Sequence, residues 1–239
     1  MGGCLGTLRR LDGHGFPDNS GLGGGYEELD KTNNYPASTH LEIYGGDYIH
    51  IIGGGYNSDV TGTFNESSMS YDGGTYVKIQ LDGNTDKGGW YEVSNGVYGG
   101  SYVRWNGSSQ PSDATNGKIL GDTQVEVLSG VVVNIWGGSD NLVSGRKNQG
   151  VIVGDTHVTV GTESGGEAVC QHVYGGGSCS TVGQENVYYD PNDRWASAKV
   201  GGNTYVVINA TAKGRNNASD SSGGHIYAAG DRDIINGTT

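Results

Sequence analysis

The chain has 239 residues, with 26 acidic side chains against 14 basic ones and a net charge of −12. That balance argues against nucleic acid as a partner, since phosphate binding needs a basic stripe, and no stretch approaches the roughly 20 apolar residues of a membrane span. Forty-six glycines beside ten leucines and two phenylalanines exclude long amphipathic helices and a broad core. Apolar content this low, with this charge, is a composition typical of disorder. The 22 valines, however, cluster at alternate positions, which is the pattern of a strand with one buried face.

Residues 1–37 carry no repeated pattern and are read as an irregular N-terminal segment or cap; 38–239 form the repeat domain. The first strand-like segment is STHLEI (38–43), running into IYGGD (43–47), then IIGGG (51–55) and VTG (60–62). GGTYVKI (73–79) repeats the strand pattern and VYGGS (97–101) the aromatic-Gly-Gly step, followed by a polar loop, SSQPSDATNG. GDTQVEV (121–127) leads to IWGGS (135–139) and VSG (143–145); GDTHVTV (154–160) leads to VYGGG (173–177). After another polar stretch, GNTYVVI (202–208) leads to IYAAG (226–230) and ING (235–237).

Three boxes therefore recur in one order. The first is Gly-Asp/Asn-Thr followed by alternating Val or Ile, the second Ile/Val-aromatic-Gly-Gly, and the third a short β-branched-x-Gly step. The Gly-Asp/Asn-Thr prefix is turn chemistry, with Asp or Asn bonding its own backbone. Each unit is too short to bury a face alone, and stacking equivalent units solves that by setting Val and Ile into continuous columns. An antiparallel sandwich would give turn signals at similar intervals, but it has no reason to repeat its boxes in order. The expected fold is all-β, a right-handed parallel β-solenoid (β-helix) of about five irregular coils with surface loops, its hand following the rule for parallel crossovers.

These alternating NTxVxI strands and VYGGG steps resemble the Gly-rich β-strand repeats of large bacterial cell-surface proteins of adhesin-like type, and they are similar to the β-helical shafts of phage tail fibres. The resemblance covers roughly 38–239. It implies an extracellular module, on a cell surface or virion, and says little about what is bound.

The second box places Tyr44, Tyr98, Trp136, Tyr174 and Tyr227 at one equivalent position, between an inward Ile or Val and a small residue. By alternation they point outward, and stacking would make them a ladder. Fifteen tyrosines against two phenylalanines suit wet contacts, and rings with polar rims suit sugar faces. Such a ladder also fits self-packing beneath a loop, or a seam between chains. Catalysis is not expected: no GxSxG, HExxH or phosphate loop is present, and the histidines do not cluster in sequence, although His157, His172 and His225 could share a face. GGSDNLVSG (137–145) and GGGYNSDVTG (53–62) share Gly and Asp with calcium-binding nonapeptides, but they occur singly rather than in tandem. No cofactor or metal is expected, calcium being the one candidate. Cys170 and Cys179 flank a loop and are the disulfide candidates, which would leave Cys4 over.

The expected function is thus a non-enzymatic surface or fibre module of adhesin type, taking a glycan or host-surface receptor through the ladder and loops. The alternatives are a structural subunit that stacks end to end into a homo-oligomeric filament, and a polysaccharide lyase or hydrolase.

Overall fold

The computed structural model describes residues 39–60, 64–65, 70–71, 74–83, 91–104, 117–141, 150–178, 181–182, 202–214, 224–231 and 234–235. Residues 1–37, read above as a separate segment, lie outside them. Within the described residues every regular element is a strand, and every pairing but one is parallel. The exception is the antiparallel pair Phe64–Asn65 and Ser70–Tyr71.

The first box supplies five strands in spatial order of sequence: Thr39–Ile43, Thr75–Gln80, the first part of Thr123–Trp136, Thr156–Val160 and Thr204–Ile208. Their register is residue for residue. Val77 pairs with Val125, Val125 with Val158 and Val158 with Val206, with Leu41 before them. Ile43, Ile79, Val127, Val160 and Ile208 form the next column. Alternation explains why it is these residues: every second side chain turns inward, and in Thr75–Gln80 those are Thr75, Val77 and Ile79, all buried. Each fully buried Val or Ile contributes about 1.5–3 kcal/mol, so the interior is stabilised by many small equivalent terms.

The second box builds the adjoining part of the same ten-stranded sheet: Tyr48–Ile52, Val93–Tyr98, the end of Thr123–Trp136, Ala168–Tyr174 and His225–Tyr227. Ile51, Val97, Ile135, Val173 and Ile226 are in register and, with the columns above, line one narrow interior, of which Ile208 and Ile226 in the last unit stay exposed. Between the two boxes the chain stays a strand from Thr123 to Trp136, turning at Gly130, whose φ of 116° only glycine adopts freely.

The two boxes are joined by a bond the sequence does not announce. The Thr39 hydroxyl donates to the Gly53 carbonyl at 2.5 Å, Thr75 to Gly99 at 2.5 Å, Thr123 to Gly137 at 2.6 Å, Thr156 to Gly175 at 2.6 Å and Thr204 to Ala228 at 2.7 Å. All five threonines are buried. The Asp of the prefix also acts differently from expectation, reaching the neighbouring unit instead of its own turn. Asp122 accepts from the Asp155 amide at 2.8 Å, and Asp155 accepts from the Gly202 and Asn203 amides at 2.7 and 2.9 Å.

The third column is Val60, Ile119, Ile152, Val182 and Ile235, linked by bridges and short parallel strands. Val60 and Ile235 come from the expected boxes VTG and ING; Ile119 and Ile152 open two further β-branched-x-Gly steps, ILG (119–121) and IVG (152–154), which run directly into the first box, and Val182 stands immediately before its glycine. The VSG at 143–145 lies outside the described residues.

Candidate functional site

The outward ring of the second box is stacked along the direction of strand pairing. Tyr98 and Trp136 lie 4.4 Å apart with 4° between ring planes; Trp136 and Tyr174 lie 5.3 Å apart at 7°; Tyr174 and Tyr227 lie 4.8 Å apart at 8°. Strands spaced about 4.8 Å apart bring equivalent rings into face contact, so the stack covers its own faces. Tyr98 is 2% exposed and Trp136 7%, whereas Tyr227, at the far end, is 43% exposed. Outward from the valine interior therefore does not mean wet. Gly96 makes room for the Trp136 ring: a methyl there would lie 2.3 Å from Cζ3 of the indole.

Tyr44 is not in the stack. It follows the first-box strand, and the position below Tyr98 belongs to Ile52. Tyr44 is 60% exposed, its hydroxyl bonds the Glu42 carboxylate, and the Lys78 ammonium sits 5.5 Å from its ring centre. The IYGGD match is misleading because the first-box strand Thr39–Ile43 runs straight into it; the true partner is IIGGG. The separation of Thr39 from Gly53 equals that of Thr123 from Gly137, 14 residues, although it is longer in the other units.

Beside the inner end of the stack lies a charged pair that no motif announces. An Arg104 guanidinium nitrogen is 2.5 Å from the Asp140 carboxylate, and the same group lies 3.6 Å over the Tyr102 ring. Both charges are largely buried, and each offsets the other's desolvation. Burial and then Asp140 push the Tyr98 hydroxyl well above its usual range. Asn57, at a φ of 50°, ties this region down: its amide side chain both accepts from Arg104 N at 2.8 Å and donates to Arg104 O at 2.7 Å. This pair anchors chain just past the Gly-Gly step, and its carboxylate is already engaged.

The histidines divide between faces. His172 and His225 are in register on the face that carries the stack, with ring centres 5.1 Å apart, and His225 Nδ1 is 3.2 Å from the Tyr227 hydroxyl. His157 sits on the first-box sheet, stacked on Tyr205 at 4.8 Å. Burial and the neighbouring His225 lower the pKa of His172. Trp136 Nε1, Asn134 Oδ1 and His172 Nδ1, along the same face, are buried with no hydrogen-bond partner.

Of the two Gly-Asp segments considered for calcium, Asn57 is spent on Arg104, Asp59 accepts from the Lys118 amide at 2.8 Å, and Asp140 pairs with Arg104. Among the described residues no three His, Cys, Asp or Glu side chains gather to hold a metal ion, and no helix is long and apolar enough to cross a membrane. Cys170 is one of the two disulfide candidates. It is a free thiol turned into the valine cluster, where burial raises its pKa to about 11; Cys179 lies outside the described residues. Its place on Ala168–Tyr174 explains this, because Cys170 occupies an inward position in register with Val132.

Compared with family models, with curated proteins and with solved structures, the chain matches none.

Proposed function

We propose that the chain is a right-handed parallel β-solenoid of about five turns, serving as a non-enzymatic, extracellular surface module of adhesin type that binds glycan at the exposed end of its aromatic stack. The in-register columns of the first, second and third boxes support the architecture. One observation carries the binding reading: Tyr227 is the last ring of the stack, with one face on Tyr174 and 43% of its surface exposed. A sugar ring takes the free face of an aromatic side chain, and the adjacent exposed His225 offers a ring nitrogen to a hydroxyl. The inner rings take no part in contact and act as a spine.

A glycan array probed with wild-type protein and with Tyr227→Ala tests this. The expected result is a signal that falls about tenfold in the variant, corresponding to about 1.4 kcal/mol, and is retained in Tyr227→Phe. Equal binding by wild type and Tyr227→Ala would overturn the reading.

A further inference from the structure

The first glycine of each Gly-Gly step approaches the following unit closely. A methyl group built on Gly53 would lie 2.4 Å from the Gly99 carbonyl oxygen; on Gly99, 2.2 Å from that of Gly137; on Gly137, 2.2 Å from that of Gly175; on Gly175, 2.1 Å from that of Ala228. Real Cβ atoms essentially never come within 3.0 Å of another heavy atom, and the obstacle here is backbone, which no rotamer change removes. None of the four glycines has a left-handed φ, so the requirement is for space alone. The same backbone ladder runs through all of them: Gly53 N donates to Tyr98 O, Gly99 N to Trp136 O, Gly137 N to Tyr174 O and Gly175 N to Tyr227 O.

The equivalent position in the fifth unit is Ala228, which already has the methyl group. Ala229 follows where Gly54, Gly100 and Gly138 stand, and all three are crowded, a methyl on Gly54 meeting Ser101 Oγ at 2.5 Å. A methyl on Gly100 would meet Ser139 Oγ at 2.2 Å, and one on Gly138 would meet Gly177 N at 2.8 Å. Ala228 is exposed, and among the described residues His225–Tyr227 pairs only with Ala168–Tyr174.

We infer that Ala228, supported by Ala229, ends the stack in register. Its methyl group takes the place where the first-glycine carbonyl of a sixth unit would come. A second copy of this chain therefore cannot seat its Thr39–Ile43 and Tyr48–Ile52 strands on this end as a continuation of the ladder, although the Thr-x-Leu-x-Ile pattern of Thr39–Ile43 would otherwise match Thr204–Ile208. Val207, Ile208, Ile226 and Tyr227, all exposed, are thereby not covered by strands of a second copy. This inference rests on the register of the units, and glycan binding has no part in it.

The test uses the full chain and the double variant Ala228→Gly/Ala229→Gly, with negative-stain microscopy and sedimentation at rising concentration, and circular dichroism to establish that the variant is folded. The expected result is single particles for the wild type and end-to-end rods, lengthening with concentration, for the variant. Rods in the wild type overturn the inference, because alanine then does not block stacking. A folded variant without rods overturns it equally, because something other than these methyl groups then closes the end. Should the double variant not fold, Ala228→Gly is read in the same way. The glycan array reports on Tyr227 separately, so failure of one reading is distinguishable from failure of the other.

Discussion

The hydroxyl of Thr156 donates a 2.6 Å hydrogen bond to the carbonyl oxygen of Gly175, 19 residues further along the chain. The same bond recurs in every unit, at separations from 14 to 24 residues. It fixes the corner between the two box types whatever the length of chain between them. This is why connections of different length are tolerated: the corner is set by a side chain, and the intervening residues are left free to vary.

Replacing Thr123 by valine keeps the shape and removes the donor. The Gly137 carbonyl loses its buried partner, which costs about 1–3 kcal/mol. Urea denaturation would report this as a lower midpoint with an unchanged slope. An unchanged midpoint would show that the repeated bond contributes little.

Gly137→Ala places a methyl 2.2 Å from the Gly175 carbonyl oxygen, whereas a methyl at Gly45 meets nothing within 4 Å. The first substitution is expected to cost about 1–3 kcal/mol or more through backbone displacement. The second should be neutral or slightly stabilising. The comparison of thermal midpoints checks the close-approach argument on which the role of Ala228 depends.

Stability is expected to fall as pH drops below neutrality. The pKa of His172 is lowered from its ordinary value of 6.5 by burial and then by His225; it faces Tyr174, Tyr227 and Asn134 as well. The pKa of His50 is lowered by burial and further by Arg104, with Asp140 opposing; it packs against Tyr98 and Tyr102 near Asn95. Both histidines take up a proton more readily in the unfolded chain. Stability is therefore lost as pH falls through 6.5, and the loss levels off below the folded values. Glu42, whose pKa is held at about 2 by Tyr44 and His40, stays charged throughout that window. The thermal midpoint of His172→Gln should depend less on pH than that of the wild type; identical profiles would remove His172 from the account.

Cys170 is buried and its pKa is raised to about 11, so it is a protonated thiol shielded from reagent at neutral pH. Wild type and Cys170→Ala should show the same number of fast-reacting thiols when folded and differ by one when denatured. Counting thiols with a chromogenic disulfide reagent decides this. A difference in the folded state would mean that the valine interior opens readily.

Much of the arrangement is legible in the sequence because side-chain alternation has a fixed period. The repeat of Thr-x-Val-x-Val aligns Val125, Val158 and Val206, and they do pair in register. The same logic picks out Tyr98, Trp136, Tyr174 and Tyr227 but misplaces Tyr44, because a local match to Tyr-Gly-Gly carries no information about which unit it belongs to. Ile119 and Ile152 escape notice because their β-branched-x-Gly steps share a glycine with the Gly-Asp-Thr of the first box, and Val182 because its glycine follows directly.

The sequence by itself determined that strands of this chain pair in parallel through matching valines, since only repetition in register buries such short faces. Only the tertiary structure decided which outward groups are wet. Trp136 and Tyr227 are equivalent by pattern, yet one is covered on both faces and the other ends the stack. Burial of an outward ring depends on whether a neighbouring unit lies above it, and that is a property of the assembled stack, which no single segment encodes.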